Sequence, residues 1–213
     1  MAGKLLGAPG EEKGWTDLLQ LDPLQVCRRS LATYDPDSRK YTLKVLTVEY
    51  DVILKGRTIV PTAGWRSGIP DLGLDFRIML LDYLTNCKEM PLSGRLVSGA
   101  QLKAGEFFFR GSHGLELDAL VDAFGENPER FLNIGLLLGG KSLELGDTSI
   151  QLLVLPRVPI VYVLWAADDE FSARLSVLFD STADDMMHLD TLRTAVTTAT
   201  KFILATDSSQ SLI

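Results

Sequence analysis

Two almost uninterrupted apolar runs near the end of the chain constrain the fold most strongly. Ile150 to Leu155 and Ile160 to Ala166 carry few polar side chains. Runs of this length predict buried strands that are covered on both faces, or on one face by a helix. Pro156, Arg157 and Pro159 separate the two runs. A membrane span needs about 20 apolar residues without such interruptions, so we interpret the region as two strands and a turn.

The residues after these runs extend the same sheet and cover it. Arg174 to Phe179 alternates between apolar and polar side chains, which predicts a half-buried third strand. A helical stripe follows, with steps of three and four residues: Leu189, Leu192, Val196, Ala199 and Ile203. We expect this C-terminal helix to pack on the sheet formed by the three strands.

Helices and strands also come in groups earlier in the chain. Asp22-Pro23 is a typical helix start, and Leu24, Cys27, Leu31 and Tyr34 follow at helical spacing. Further strands are predicted at residues 41–45, 50–54, 57–60 and 96–102, and further helices at 74–87, from Ser112 or His113 to 124, and at 128–138.

This order predicts one α+β domain over residues 15–205, with a mainly antiparallel sheet packed against several helices. Residues 1–14 and 206–213 are rich in glycine or serine and lack apolar periodicity, so they are predicted to be flexible tails.

Charge and cysteine content narrow the classes of partner. The chain has 21 Lys and Arg against 28 Asp and Glu, a net charge of −7. Nucleic acids and anionic membranes need a basic face, so neither is an expected partner, whereas a small-molecule cofactor, a cation or a basic protein suits this charge. No secretion signal is visible, which favours a cytoplasmic location. Cys27 and Cys87 are the only cysteines, and we interpret both as packing residues.

The usual motifs for phosphate loops, dinucleotide binding, serine hydrolases and zinc proteases are absent from the sequence. An iron–sulfur cluster usually needs four thiolates, so we expect none within this chain alone.

One acidic constellation is a candidate site. It comprises Trp165, Asp168, Asp169, Glu170, Phe171 and Asp180. Asp168, Asp169 and Glu170 are candidate ligands for a divalent cation, because Mg²⁺ and Ca²⁺ prefer carboxylate oxygens. The same carboxylates would equally serve as caps for backbone N–H groups in a turn, which is the commoner role of acidic turn residues. If the two strands form a hairpin, Asp180 would lie at the far end from the turn.

Other candidate residues are more isolated. His188 precedes the C-terminal helix among acidic residues, where a histidine is a base, a metal ligand, an axial ligand to a tetrapyrrole metal or a solvated cap. Trp65 and Arg66 lie in a Gly- and Pro-rich loop and are candidates to stack on a flat ligand or a partner, although an aromatic that folds back to close the core is the commoner case. His113 precedes a predicted helix and gives a weak anion site.

Several of these segments together resemble the DUF3786 family. They are Asp22-Pro23, Tyr41-Thr42-Leu43, Leu80-Leu81-Asp82-Tyr83-Leu84, Phe124-Gly125, Leu138-Gly139-Gly140, Gly146-Asp147, Leu155-Pro156-Arg157-Val158-Pro159, Leu164-Trp165, Asp169-Glu170-Phe171 and Leu178-Phe179-Asp180-Ser181. The resemblance covers residues 22–204. It implies a setting in anaerobic bacteria or archaea, beside metallocofactor or corrinoid chemistry, and it supplies no catalytic residues.

Two functions follow as expectations. The first is a non-catalytic binding or accessory protein for a corrinoid or other tetrapyrrole, or for its partner enzyme. The second is a divalent-cation-dependent hydrolase or transferase that uses Asp168, Asp169, Glu170 and Asp180.

Overall fold

Two antiparallel sheets form the framework of the protein. The computed structural model describes residues 8–62, 70, 72–103, 105–108, 115 and 117–210. The first sheet has four strands in chain order, β1 to β4: Thr33–Asp35, Lys40–Val45, Val48–Ile53 and Thr58–Pro61. The second has five strands in the order β5-β9-β8-β7-β6: Leu96–Ser98, Arg174–Asp180, Val158–Trp165, Thr148–Leu155 and Lys141–Leu143. The sheets meet where the backbone N–H of Leu46 donates to Val154 O at 3.1 Å.

Helices cover these sheets and confirm the α+β class. The helices α1 to α8 are Pro9–Gln20, Pro23–Ser30, Gly73–Asn86, Gly105–Phe108, Asp118–Phe124, Pro128–Leu137, Ala183–Met186 and Leu189–Gln210. Helix α3 is the central one, because α1, α2 and α8 all pack against it. Helix α6 packs on β7, and α5 lies against β9. Among the described residues, no helix is both long enough and apolar enough to cross a membrane.

The predicted core strands and their covering helix are confirmed. In β8, the residues from Val158 to Leu164 are all buried, as expected for a central strand with both faces covered. The buried hydroxyl of Tyr162 donates to Val196 O in α8 at 2.9 Å, so the C-terminal helix does lie on this sheet. Strand β9 pairs with β8 in antiparallel fashion, with Trp165 opposite Arg174 and Ile160 opposite Phe179.

The predicted buried face of α2 is wrong at Leu24 and Leu31, whereas Cys27 does pack partly buried against the core, and Tyr34 packs there too but from β1. The side chain of Asp22 accepts from the Leu24 N–H at 3.3 Å, so the predicted cap is present, yet Leu24 is 73% exposed. The helix ends at Ser30, and Leu31 has a φ of +59°, which turns its side chain into solvent. Val26 and Ser30 are buried instead. The Ser30 hydroxyl can be buried because it donates to Val26 O at 2.7 Å.

Both segments predicted to be flexible tails contain helical residues. Residues 9–14 are part of α1, whose Trp15 and Leu18 are buried. Gly14 allows this packing, since a Cβ there would lie 2.8 Å from Leu81 Cβ. Residues 206–210 continue α8, and Asp207 forms an ion pair with Arg130. Weak apolar periodicity concealed α1 and the last residues of α8.

Two other element boundaries differ from the prediction. The strand expected at residues 96–102 stops at Ser98, where a 3-10 turn begins at Gly99. The side chain of Gln101 closes this turn by accepting from the Ser98 N–H at 2.9 Å. The helix expected from Ser112 or His113 is described only from Asp118 onward.

Arg157 joins the turn between β7 and β8 to the helices. Its guanidinium donates to Arg29 O at 2.6 Å and to Met90 O at 2.8 Å, while its backbone N–H donates to the Tyr83 hydroxyl. The Tyr83 hydroxyl in turn donates to Ser30 O at 2.9 Å. Helix ends leave backbone carbonyls without partners, and Arg157 satisfies one of them at the end of α2. We therefore assign this residue a structural role.

Candidate functional site

Asp82 and His188 pair a largely buried carboxylate with an exposed ring. Asp82 lies in α3, and its side chain is only 9% exposed. Its carboxylate accepts from the backbone N–H of His188 at 2.9 Å and lies 2.5 Å from His188 Nδ1. The hydroxyl of Thr191 and the side-chain amide of Asn86 also donate to it. Four donors thus hold one carboxylate at the junction of α3 and α8.

His188 is fixed by the start of α8. The residue precedes Leu189, the first residue of the helix, and its carbonyl accepts from the Leu192 N–H at 2.8 Å and lies 2.9 Å from the Thr191 hydroxyl oxygen. Its side chain is nevertheless 69% exposed. Backbone and side chain are therefore both positioned while most of the ring faces solvent.

The contact with Asp82 sets the chemistry of the ring. A carboxylate beside Nδ1 favours the tautomer in which Nδ1 carries the proton, so that the lone pair of the neutral ring lies on Nε2. The described residues make no hydrogen bond to Nε2. A histidine held in this way by a carboxylate has the arrangement of a metal ligand or of a general base.

An open cleft of about 350 Å³ lies beside the His188 ring. Its lining comes from α1, α3 and the start of α8: Gly10, Lys13, Gly14, Asp17, Ile78, Asp82, Thr85, Asn86, His188, Asp190 and Thr191. The charged side chains are three aspartates and one lysine, and Lys13 forms an ion pair with Asp17. The cleft is thus acidic, and its volume is within the usual range for a small-molecule site.

Of the two roles considered for the acidic turn, the hydrogen bonds of Asp168 are those of a backbone cap. Asp168 Oδ1 accepts from the N–H groups of Glu170 at 2.9 Å and Phe171 at 2.7 Å. These backbone hydrogen bonds hold the pKa of the Asp168 carboxyl below its usual range. The side chains of Asp169, Glu170 and Phe171 are exposed. Adjacent residues in this turn point in different directions, as turn geometry requires.

Asp180 lies at the opposite end of β9 and is 2% exposed. Its carboxylate accepts from the backbone and the hydroxyl of Ser93, the backbone of Gly94 at 2.7 Å, and the backbone and the hydroxyl of Thr182. Burial alone would raise the pKa of Asp180, but the hydrogen bonds from Thr182 and Ser93 outweigh it and lower the pKa to about 2. Four of these five donors contact Oδ1, and the Gly94 N–H contacts Oδ2, so the carboxylate is engaged by the protein on both oxygens.

The four predicted carboxylates therefore do not converge. The β8–β9 pairing places Asp168, Asp169 and Glu170 at one end of the hairpin and Asp180 at the other. Within the part of the chain that the structure describes, no three His, Cys, Asp or Glu side chains are grouped so that they could hold a metal ion.

The predicted aromatic candidates fall into two groups. Trp165 is half-buried under Arg174, whose guanidinium carbon lies 4.1 Å from the ring centroid, while Phe171 is 68% exposed. Trp65, Arg66 and His113 lie outside the described residues.

Comparison with known proteins places the chain in a family. The family model described as "Domain of unknown function (DUF3786)" matches residues 22–201 of the 213. The chain belongs to the DUF3786 family. No curated protein and no solved structure matched this DUF3786 chain. The matched range contains Asp82, His188 and Asp180, whereas α1, which forms one wall of the cleft, ends before it.

Sequence reasoning identified His188 as a candidate and overlooked Asp82. Asp82 and His188 are 106 positions apart, and no spacing rule connects residues at that distance. A local signal existed, since Asp82 is the one acidic residue in the otherwise apolar stretch from Ile78 to Leu84. A carboxylate in such a stretch needs a buried donor, which is a reason to look for a partner.

Proposed function

We propose that this DUF3786 protein is a non-catalytic binding or accessory protein in which His188 would be a ligand to the metal of a corrinoid or other tetrapyrrole. The observation that carries the proposal is the contact between Asp82 and His188 Nδ1 at 2.5 Å. A ligating histidine ordinarily donates its second ring N–H to a carboxylate, which fixes the ring and strengthens the donor nitrogen.

Exposure of the ring supports a large, flat ligand. Because the His188 side chain is 69% exposed, a planar ring much larger than the cleft can approach Nε2 from solvent. The neighbouring cleft of about 350 Å³ would then receive one edge of the ligand rather than the whole of it. The bound metal centre would supply the redox or group-transfer chemistry, and the protein's residues would bind and orient it.

Charge in the cleft favours a corrinoid over haem. Asp17, Asp82 and Asp190 line the cleft against Lys13 alone, and Lys13 already pairs with Asp17. Carboxylates accept hydrogen bonds from the amide groups at the edge of a corrinoid ring, whereas they repel the propionates of haem. In this proposal the protein works in the cytoplasm of an anaerobe, beside the enzyme that uses the cofactor.

The experiment is a spectroscopic titration of the purified protein with diaquacobinamide and, in parallel, with ferric haem. The expected result is a shift of the cobinamide absorbance bands on binding, which is lost in His188→Ala and kept in His113→Ala. His113 is a matched control because it is the only other histidine of the chain. Asp82→Asn should weaken binding by about 10- to 100-fold, as other partners of ligating histidines do.

Two outcomes would overturn the proposal. The first is an unchanged spectrum with no co-elution of cobinamide or haem. The second is equal binding by wild-type protein and His188→Ala. Binding of haem in preference to cobinamide would retain the histidine ligand and contradict only the argument from charge.

A further inference from the structure

Two of the three carboxylates in the cleft beside His188 are already engaged by neighbouring groups. Each oxygen of Asp82 has two polar contacts, which include the ring and the backbone N–H of His188. Asp17 forms an ion pair with Lys13, the single lysine or arginine in the lining. Both carboxylates therefore have protein partners that a ligand in the cleft would have to share or displace.

Asp190 is the third carboxylate of the cleft, and it lies two residues after His188 in the first turn of α8. Its side chain is exposed and makes no hydrogen bond or ion pair within the part of the chain that the structure describes. The positive end of the helix dipole stabilises a carboxylate at this position, so the fold does not require a side-chain partner for it. A ligand in the cleft would thus meet the carboxylate oxygens of Asp190 first.

The opposite wall of the cleft, in α1, has no side chain at Gly10. Packing explains the glycine one turn later, since a Cβ at Gly14 would lie 2.8 Å from Leu81 Cβ. Packing does not explain Gly10, because a Cβ there would meet only Ile78 Cδ1 among the described atoms, at an ordinary contact distance of 3.6 Å. Ile78 also lines the cleft, so a longer side chain at position 10 would occupy part of it.

These two walls differ in what they offer to the edge of a ligand. The α1 wall offers space at Gly10, and the α8 wall offers the acceptor oxygens of Asp190. A carboxylate accepts hydrogen bonds from N–H donors and repels a second carboxylate. The cleft of about 350 Å³ has room for groups at the edge of a tetrapyrrole and not for the whole ring.

We infer that the edge of the tetrapyrrole enters the cleft between Gly10 and Asp190, and that Asp190 selects a ligand whose edge carries N–H donors. This inference rests on the proposed ligation by His188 and assigns the selection of the ligand to a different residue. His188 binds the metal, whereas Asp190 contacts only the periphery of the ligand.

Absorbance titrations with diaquacobinamide and with ferric haem test the selection by charge. Asp190→Asn should weaken cobinamide binding by about 3- to 10-fold, because a charged acceptor is replaced by a neutral amide. Asp190→Lys should weaken it by more than about tenfold and strengthen haem binding, because the charge at the edge of the cleft is reversed. The absorbance bands at saturation should stay those of the wild-type complex, since His188 remains the ligand.

Asp169→Asn is the matched control for these titrations. Asp169 is an exposed aspartate in the turn between β8 and β9, and it does not line the cleft. This variant should bind cobinamide as the wild-type protein does. Equal affinities of wild-type protein, Asp190→Asn and Asp190→Lys would overturn the selection by Asp190, as would tighter binding of haem than of cobinamide by the wild-type protein.

Gly10→Ala and Gly10→Leu test where the edge of the ligand enters. The loss of affinity for cobinamide should grow with the size of the side chain, from about twofold for alanine to about tenfold or more for leucine, because the leucine side chain overfills the cleft. Circular dichroism of each variant checks folding. Binding by Gly10→Leu with the affinity of the wild-type protein would overturn entry at this wall.

Failure of this inference is distinguishable from failure of the proposed function. If binding is lost in His188→Ala but keeps its wild-type affinity in Asp190→Lys and Gly10→Leu, the histidine ligand stands and the inference is overturned. If the wild-type protein binds neither cobinamide nor haem, both are overturned.

Discussion

Asp82 and Asp180 are both largely buried aspartates, yet they connect to the rest of the protein in opposite ways. All five donors to Asp180 come from Ser93, Gly94 and Thr182, and each of them points inward. One of the donors to Asp82 is the ring of His188, whose far side is open to solvent. The carboxylate of Asp180 thus satisfies only backbone and hydroxyl groups, whereas the carboxylate of Asp82 also orients an imidazole that faces solvent.

Removing the charge of Asp180 should have the largest effect on stability. Asp180→Asn replaces a carboxylate that accepts five hydrogen bonds with an amide whose NH₂ group faces donors. We expect a loss of about 3 kcal/mol in the free energy of unfolding, because charged hydrogen bonds are lost and buried donors are left without acceptors. Urea denaturation followed by circular dichroism measures it.

Asp169→Asn is the matched control for this measurement. Asp169 is exposed in the acidic turn at the other end of the hairpin, so its substitution should change the free energy of unfolding by less than about 0.5 kcal/mol. Equal effects of the two substitutions would show that Asp180 is no more structural than a surface residue.

Low pH should remove the contribution of the Asp180 carboxylate to the free energy of unfolding, without any substitution. The folded pKa of Asp180 is about 2, below the ordinary value of about 3.9 in an unfolded chain. Because its pKa is lower in the folded state, Asp180 stabilises the fold when the pH is above its pKa in the unfolded chain. This stabilisation disappears as the pH falls through its pKa in the folded protein. The contribution should be roughly 2 to 3 kcal/mol at neutral pH. The stability difference between wild-type protein and Asp180→Asn should therefore narrow from pH 5 to pH 2, and a constant difference would contradict this origin.

The position of Asp180 could be predicted from the sequence, whereas its hydrogen-bond partners could not. Asp180 follows an alternating strand, so the β8–β9 hairpin and the separation of Asp180 from Asp168 could be derived from local pattern. The partners of Asp180 could not, because Ser93 and Gly94 lie in an irregular loop 87 and 86 positions earlier.

Polar contacts between residues far apart in the chain could not be predicted from the sequence. Burial of apolar residues follows a period of two or 3.6 along the chain, so the core strands and α3 were predictable. A hydrogen bond between Asp82 and His188 depends on how α3 and α8 cross, which no local pattern records. Helix α1 was missed for a related reason, since its packing depends on the absence of a side chain at Gly14.

Within the Asp82–His188 pair, His188→Ala should have the smaller effect on stability, and comparing it with Asp82→Asn tests whether Asp82 differs from Asp180. The ring is 69% exposed, and after its removal Asp82 still accepts from the His188 N–H and the Thr191 hydroxyl. We expect the free energy of unfolding to fall by no more than about 0.5 kcal/mol, against about 1 to 2 kcal/mol for Asp82→Asn, which weakens all of these contacts. Thermal and urea denaturation of both variants measure the difference. If His188→Ala lowered the free energy of unfolding as much as Asp82→Asn does, the imidazole would be part of the structural network. Asp82 would then have a purely structural role, as Asp180 does.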